Sequence, residues 1–199
     1  VAFFDKKNIG IAIVFMLIYR LSEAMLVKLA SPFMLDARSD GGLGLGTEAV
    51  GVVYGTVGII ALIVGGILGG IAISRWGLRR CLMPMALALT LPNLVYVYMA
   101  FWQPTSLVII NGAVAAEQFG YGFGFTAYMM YLIRFSEGEY KTSHYAICSG
   151  FMALGMMLPG MAAGWIQTTL GSYLNFFIFV IICILPTIAI IPLVRSKME

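Results

Sequence analysis

The sequence predicts an all-α membrane protein with six transmembrane helices arranged as a 3+3 inverted repeat. Three observations lead to this prediction: the composition, the length of the apolar runs, and a repeat within the chain. Of the 199 residues, 61% are hydrophobic and only 11% are charged, and the mean hydropathy is +0.95. Soluble domains have about 45–50% apolar residues. The composition therefore indicates a chain that lies in a lipid bilayer and has no soluble domain.

Six apolar runs are each long enough to cross the bilayer as a helix. A helix rises about 1.5 Å per residue, so about 20 residues cross a hydrocarbon core of ~30 Å. Because backbone polar groups in lipid must find partners within their own segment, each run is expected to be helical. The predicted spans are residues 9–34, 49–73, 79–102, 105–133, 143–167 and 173–194.

The first three spans each have a distinguishing feature. The first remains apolar on both sides of three ionisable residues, Arg20, Glu23 and Lys28. The second is rich in glycine at small-xxx-small spacing, which lets helix backbones approach closely. The third begins at the basic residues Arg79 and Arg80 and ends at Trp102, where an aromatic side chain is expected at the membrane interface.

The last three spans complete the set. The fourth contains Glu117 and three glycines, Gly120, Gly122 and Gly124. These glycines either unwind the helix beside Glu117 and expose its backbone to a solute, or admit a neighbouring helix. The fifth combines glycines with Pro159, which predicts tight packing, and the sixth is almost wholly apolar up to its basic C-terminal residues.

Lysine and arginine are distributed unequally between the two sets of loops. Short loops rich in these residues stay on the cytoplasmic side of a membrane. One set of loops has Arg38 as its only basic residue. Six spans place both termini on the same side, so we expect both termini in the cytoplasm. The basic residues of the other set are Lys6, Lys7, Arg75, Arg79, Arg80, Arg134, Lys141, Arg195 and Lys197.

A shift of 94 residues aligns the first three spans with the last three. Because each unit has three helices, an odd number, the second unit must be inverted relative to the first. We expect one six-helix domain, residues 1–199, with repeat units of about 1–102 and 103–199. Inverted repeats are typical of secondary transporters, whose substrate sites lie near the bilayer midplane. The aligned pairs are Glu23 with Glu117, Gly66 with Gly160, Gly70 with Gly164, Gly77 with Gly171, and Leu91-Pro92 with Leu185-Pro186.

Ionisable side chains near the middle of spans one and four are the candidate functional residues. A lone charge at the bilayer centre costs from about 3 to more than 10 kcal/mol, so such residues normally face a protein interior or a watery cavity. Arg20 and Glu23 are three residues apart on one helix face and can pair. Glu117 lies at the matching depth and precedes Gln118. These four residues are predicted to form a substrate and proton pathway.

Structural roles are the alternatives for the same residues. Arg20 and Glu23 would then form an ion pair that fixes the orientation of a helix, and Glu117 would hydrogen-bond to a neighbouring helix. Lys28 lies near the external end of span one, where a long side chain can reach the interface, and is a possible contact for an anionic solute.

No residue pattern indicates catalysis, a cofactor or a metal ion. The three cysteines lack metal-ligand spacing and are expected to be small apolar fillers. His144 has no cysteine, aspartate or glutamate at ligand spacing, and no nucleophile-and-base arrangement is present. The net charge of +3 does not require nucleic acid as a partner. We therefore predict that the chain is not an enzyme and binds no cofactor, metal or nucleic acid.

The turn between spans two and three, GIAISRWGLRR, resembles the signature of the major facilitator superfamily. That signature has a glycine, three residues, an aspartate, a basic residue, any residue, a glycine and then a basic cluster. Ser74 replaces the usual acid. The resemblance implies a cytoplasmic gating turn, and a C-terminal half that pairs with an N-terminal six-helix half of the same transporter. The matching residues are Gly70, Arg75, Gly77, Arg79 and Arg80.

The segments FFDKKN, IYRLSEAM and EQFGYGFGFTAYMMYLI are similar to the AmpG-like muropeptide permeases. The resemblance implies proton-driven uptake, by alternating access across the bacterial inner membrane, of a polar or anionic sugar or peptide derivative such as a muropeptide. Arg20 would bind a substrate carboxylate in bidentate fashion. Lys28, Tyr121 and Tyr128 are further possible substrate contacts. The alternatives are a non-transporting membrane scaffold or sensor, and a half-transporter that acts as a homodimer.

Overall fold

A computed structural model describes residues 3–198 and shows six long helical stretches within them. Each predicted span coincides with one stretch, and the ends agree within a few residues. The stretches are α1 (Ile9–Leu35), α2 (Thr47–Trp76), α3 (Leu78–Trp102), α4 (Leu107–Ser136), α5 (Lys141–Leu170) and α6 (Tyr173–Lys197).

Five of these helices are both long enough and apolar enough to cross a membrane: α1, α2, α3, α5 and α6. This confirms an all-helical membrane protein. The remaining helix, α4, is an unbroken α-helix of 30 residues, which is also long enough. It contains Asn111, Glu117 and Gln118, which lower its hydropathy. The sixth span and the 3+3 repeat therefore remain predictions.

Besides the π-helical stretch Val53–Gly58 within α2, three helices are interrupted, and proline explains two of these three interruptions. Within α3, a 3₁₀ turn occupies Leu91–Asn93, and α6 is broken at Cys183. Pro92 and Pro186 have no backbone N–H, so neither can bond the carbonyl four residues earlier. These prolines are equivalent under the proposed repeat. The third interruption, at Tyr19-Arg20 in α1, contains no proline.

The helices of the two predicted repeat units pack across one another. Helix α4 packs mainly against α2 and α3, whereas α1 packs mainly against α5 and α6. Exchange of α1 with α4, α2 with α5 and α3 with α6 relates these two sets of contacts. The arrangement agrees with two similar units joined by swapped first helices.

Glycines in α4 allow its close contact with α2 and α3. A Cβ added at Gly122 would lie 2.1 Å from the Leu62 carbonyl oxygen, and one added at Gly124 would lie 2.3 Å from that of Met85. At Gly120 the distance to the Ala88 carbonyl oxygen would be 2.0 Å. Because α4 remains helical through all three positions, the glycines admit neighbouring helices, and the unwound alternative is wrong.

Two clusters of buried apolar side chains fill the domain, and a polar layer separates them. On α1, the first cluster ends at Tyr19 and the second begins at Met25. On α4, the second cluster ends at Val114 and the buried members of the first begin at Ala127. Arg20 and Glu23 of α1, and Glu117 and Gln118 of α4, lie between these limits. The fold therefore places the predicted polar residues at one level of the molecule.

Candidate functional site

A cleft of about 300 Å³ lies at the level of the polar layer. Its walls come from α1, α2, α3, α4 and α5. Three of the four predicted pathway residues, Arg20, Glu23 and Glu117, are buried there, and Gln118 is half-buried beside them. The structure thus brings together all four. The lining residues are Arg20, Glu23, Leu26, Val27, Ala30, Ser31, Tyr54, Tyr96, Glu117, Gln118, Tyr121 and Met156.

Arg20 lies at the interruption of α1 and is directed toward α4. Its backbone has φ −109° and ψ 20°, outside the helical range. The Nη2 atom donates a hydrogen bond to the Tyr121 hydroxyl. The guanidinium carbon lies 4.6 Å from the centroid of the Phe125 ring and 5.1 Å from that of Tyr121, which is cation–π geometry. Two aromatic rings of α4 therefore hold the guanidinium in the cleft.

Glu117 accepts hydrogen bonds from one side chain of its own helix and from one of a neighbouring helix, α3. Gln118 Nε2 lies 3.0 Å from its Oε2 and 3.3 Å from its Oε1. From α3, the Tyr96 hydroxyl lies 3.5 Å from Oε2. Tyr96 is itself hydrogen-bonded to the hydroxyl of Tyr54, from α2. A chain of polar groups thus runs from Tyr54 to Glu117.

Glu23 is 1% exposed, and neither of its carboxylate oxygens has a hydrogen-bond partner among residues 3–198. Arg20, Glu117 and Asn93 are polar residues in its surroundings. Arg20 and Glu23 therefore form no direct hydrogen bond within residues 3–198. The physical reason is the break in α1, which removes Arg20 from the regular helix in which residues three apart are neighbours.

Two predicted substrate contacts do not line the cleft. Tyr128 is fully buried; its hydroxyl donates to the Met16 carbonyl at 2.6 Å, and its ring stacks on Tyr19 with centroids 4.9 Å apart. Lys28 is exposed and lies against Gly160 of α5. The geometry gives Tyr128 a role in joining α1 to α4 instead. Tyr121, the third predicted contact, does line the cleft.

The residues of the predicted gating turn lie at the far end of α2 from Tyr54. Gly77 ends α2 with a positive φ of 77°, and the equivalent Gly171 ends α5 with a φ of 73°. Arg75, Arg79 and Arg80 are exposed, as is Gly70. The structure does not bring these residues to the cleft.

Tyr54, Tyr96 and Asn93 are polar residues of this region that the sequence analysis missed. Tyr54 and Tyr96 line the cleft, and Asn93 is fully buried with neither side-chain atom paired among the described residues. One signal was available, since Asn93 directly follows the Leu91-Pro92 pair that recurs in the repeat. The tyrosines gave no such signal, because tyrosine is common near the ends of spans.

The chain matches no protein-family model. It is 26% identical over 197 residues to the anhydromuropeptide permease of Escherichia coli K12, with 99% of this chain and 39% of the relative covered. It is 28% identical to putative transporter AmpG 4 of Rickettsia conorii, with 98% of this chain and 46% of the relative covered. The resemblance to AmpG-like permeases is thus confirmed.

This chain spans about two fifths to one half of the length of these relatives. A third relative, putative transporter AmpG 1 of Rickettsia prowazekii, is 21% identical over 203 residues, with 99% of this chain and 44% of the relative covered. All three names are those of permeases or transporters, which agrees with the prediction that this chain is not an enzyme. Together with the apolar helices, they support an integral membrane protein.

Proposed function

We propose that this chain is the C-terminal half of a major facilitator permease that imports a muropeptide or a similar anionic sugar–peptide. The full transporter would pair it with an N-terminal six-helix half, work by alternating access and use the proton gradient. The permease names of relatives that are more than twice as long support this proposal over a scaffold, a sensor or a homodimeric half-transporter.

The observation that carries the proposal is the cleft itself. Arg20, Glu23 and Glu117 lie buried in the polar layer between two apolar clusters, where an unpaired ionisable group is costly and therefore indicates a functional site. Glu23 has neither oxygen paired within residues 3–198, and Arg20 has an unpaired Nε. Unpaired buried groups that face a shared cleft are suited to bind a polar solute.

The side chains of the cleft match the chemistry of such a solute. A muropeptide carries carboxylates, which the planar guanidinium of Arg20 binds well. Gln118 and Tyr121 offer neutral donors and acceptors for amide and hydroxyl groups. The volume of about 300 Å³ is at the lower limit for a small-molecule site, so the proposed N-terminal half would supply the remaining wall.

An aromatic layer closes the domain on one side of the cleft. Phe15 contacts Tyr131 with ring centroids 4.5 Å apart, and Tyr19 stacks on Tyr128. Tyr19 also donates to the Gly124 carbonyl at 3.0 Å. Alternating access would require this layer, which joins α1 to α4, to separate when the cleft opens toward the N-terminal end of α1.

The orientation proposed for the domain has both termini in the cytoplasm and the protein in the bacterial inner membrane. The loop that contains Arg38 would then be external, and the turn that follows α2 would be cytoplasmic. Gly70, Arg75, Gly77, Arg79 and Arg80 are proposed to form the gating turn. Ser74 stands at the position of the usual acid, and its hydroxyl donates to the Ile71 carbonyl at 2.8 Å.

The proposal is tested by uptake measurements on the complete protein that contains this chain, reconstituted in liposomes. Labelled anhydromuropeptide should accumulate faster at an external pH of about 5.5 than at about 7.5, because the inward proton gradient drives symport. Vesicles without protein, and vesicles with an uncoupler, are the controls. A scaffold or sensor would give no uptake above that of empty vesicles at either pH.

A further inference from the structure

The polar groups of the cleft are not arranged symmetrically. Glu23 and Glu117 are equivalent under the 94-residue shift, but only Glu117 is joined to a chain of hydroxyl groups. The positions equivalent to Tyr54 and Tyr96 are Cys148 and Ile190. The two carboxyl groups therefore have different surroundings and are suited to different tasks.

The backbone of α2 around Tyr54 also differs from that of its repeat equivalent, α5. Tyr54 lies in a π-helical stretch, Val53–Gly58, whereas the equivalent part of α5 is regular α-helix. π-Helical turns are rare and are found frequently at functional sites, because they alter the direction of a side chain. Here the stretch positions the half-buried Tyr54 on the cleft, with its hydroxyl bonded to that of Tyr96.

We propose that Tyr54 and Tyr96 form a proton relay from the partly exposed wall of the cleft at Tyr54 to the buried carboxyl group of Glu117. This inference rests on the proposed proton-coupled transport and names its route. The two hydroxyls and the carboxylate form a continuous series from a half-buried residue to two buried ones. Proton relays in pumps and transporters run along chains of titratable side chains within the membrane, and Glu117 would be the carboxyl end of this one.

The relay moves one proton to Glu117, and both tyrosines are neutral before and after the transfer. A proton from water in the cleft binds the Tyr54 hydroxyl oxygen as Tyr54 passes its own proton to Tyr96. Tyr96 passes its own proton to Oε2 of Glu117, which becomes a neutral carboxylic acid. Each hydroxyl both donates and accepts, so each tyrosine is neutral again after the transfer. Rotation of the two hydroxyl groups restores the initial arrangement.

The Tyr96–Glu117 distance of 3.5 Å is longer than the roughly 2.7–2.8 Å typical of O–H···O bonds. Transfer requires this contact to shorten, as happens in many sites when the solute binds. The other charged groups that face the series are Glu23 and Arg20 of α1, and Gln118 holds both oxygens of Glu117. Arg20 is the one cation among the residues that line the cleft.

The experiment uses Tyr96→Phe in the complete protein, because phenylalanine keeps the ring and removes the hydroxyl. Anhydromuropeptide accumulation driven by a pH gradient, proton uptake reported by a pH-sensitive dye, and solute exchange at equal pH are measured in proteoliposomes. We expect gradient-driven accumulation and proton uptake to fall at least about tenfold, with exchange retained within about twofold. The control is Tyr98→Phe, because Tyr98 is an exposed tyrosine of the same helix; it should change neither gradient-driven accumulation nor proton uptake.

Tyr54→Phe is the second variant, and the double variant tests whether the two hydroxyls act in series. If they do, the double variant loses no more than the single variants, because removal of either hydroxyl interrupts the same route. Retained exchange shows that each variant is folded. Normal proton uptake by Tyr96→Phe, when the unmodified protein is also proton-coupled, would overturn the relay alone. An unmodified protein that moves solute without protons would overturn both the relay and the coupling proposed above.

Discussion

Replacement of Arg20 by alanine is the most informative test of substrate binding. The guanidinium lies in the cleft, bonded to Tyr121 through Nη2 and stacked on Phe125 at 4.6 Å. Hydrogen bonds to charged groups contribute about 1.5–3 kcal/mol each. Loss of one such bond to a substrate carboxylate therefore corresponds to an affinity about 10- to 150-fold weaker. A neutral analogue should lose much less.

The assay compares two solutes in competition for uptake: an anionic sugar–peptide, and the same molecule with its carboxylates converted to amides. We expect Arg20→Ala to raise the half-inhibitory concentration of the anionic form selectively. Arg20→Lys should restore it only in part, because a lysine ammonium cannot form the planar bidentate contact. Lys28→Ala is the matched control, since Lys28 is exposed and outside the cleft. Equal losses for both solutes would refute a carboxylate contact and would indicate a structural role for Arg20.

Two further predictions concern the packing that holds the cleft together. Gly122→Ala places a methyl group 2.1 Å from a carbonyl oxygen of α2 and should destabilise the protein by about 1–3 kcal/mol, whereas Gly112→Ala, in open space on the same helix, should be neutral or stabilising. Thermal unfolding in detergent measures both, and equal melting temperatures would contradict the close approach. Tyr128→Phe removes the 2.6 Å bond to Met16 and should cost about 1 kcal/mol of stability while anionic and neutral solutes are affected alike. A selective loss of the anionic solute would restore Tyr128 as a substrate contact.

The positions of the helices could be predicted from sequence because bilayer thickness imposes one length scale on every span. The prediction of 9–34 for the first span compares with Ile9–Leu35 in the structure, and that of 173–194 for the last compares with Tyr173–Lys197. Hydropathy is a sum over many residues, so single polar side chains do not obscure it. The same averaging hides local breaks, which is why the interruption at Arg20 was not foreseen.

The site was predicted in part, and the errors have a common cause. Glu23 and Glu117 were found because charge in a span is costly and because they recur in the repeat. Tyr54 and Tyr96 were missed because a cleft wall depends on which helices meet, and one sequence does not determine that. Tyr128 was assigned to the solute because its position in α4 was known and its bond to Met16 was not.

The central claim is that buried carboxylates of this domain couple solute movement to protons. The most direct measurement is anhydromuropeptide uptake by the complete protein with Glu117→Gln, which keeps the size of the side chain and removes its titratable proton. The account predicts that accumulation driven by a pH gradient falls to the level of simple equilibration, while solute exchange at equal pH continues. Accumulation equal to that of the unmodified protein would contradict the claim.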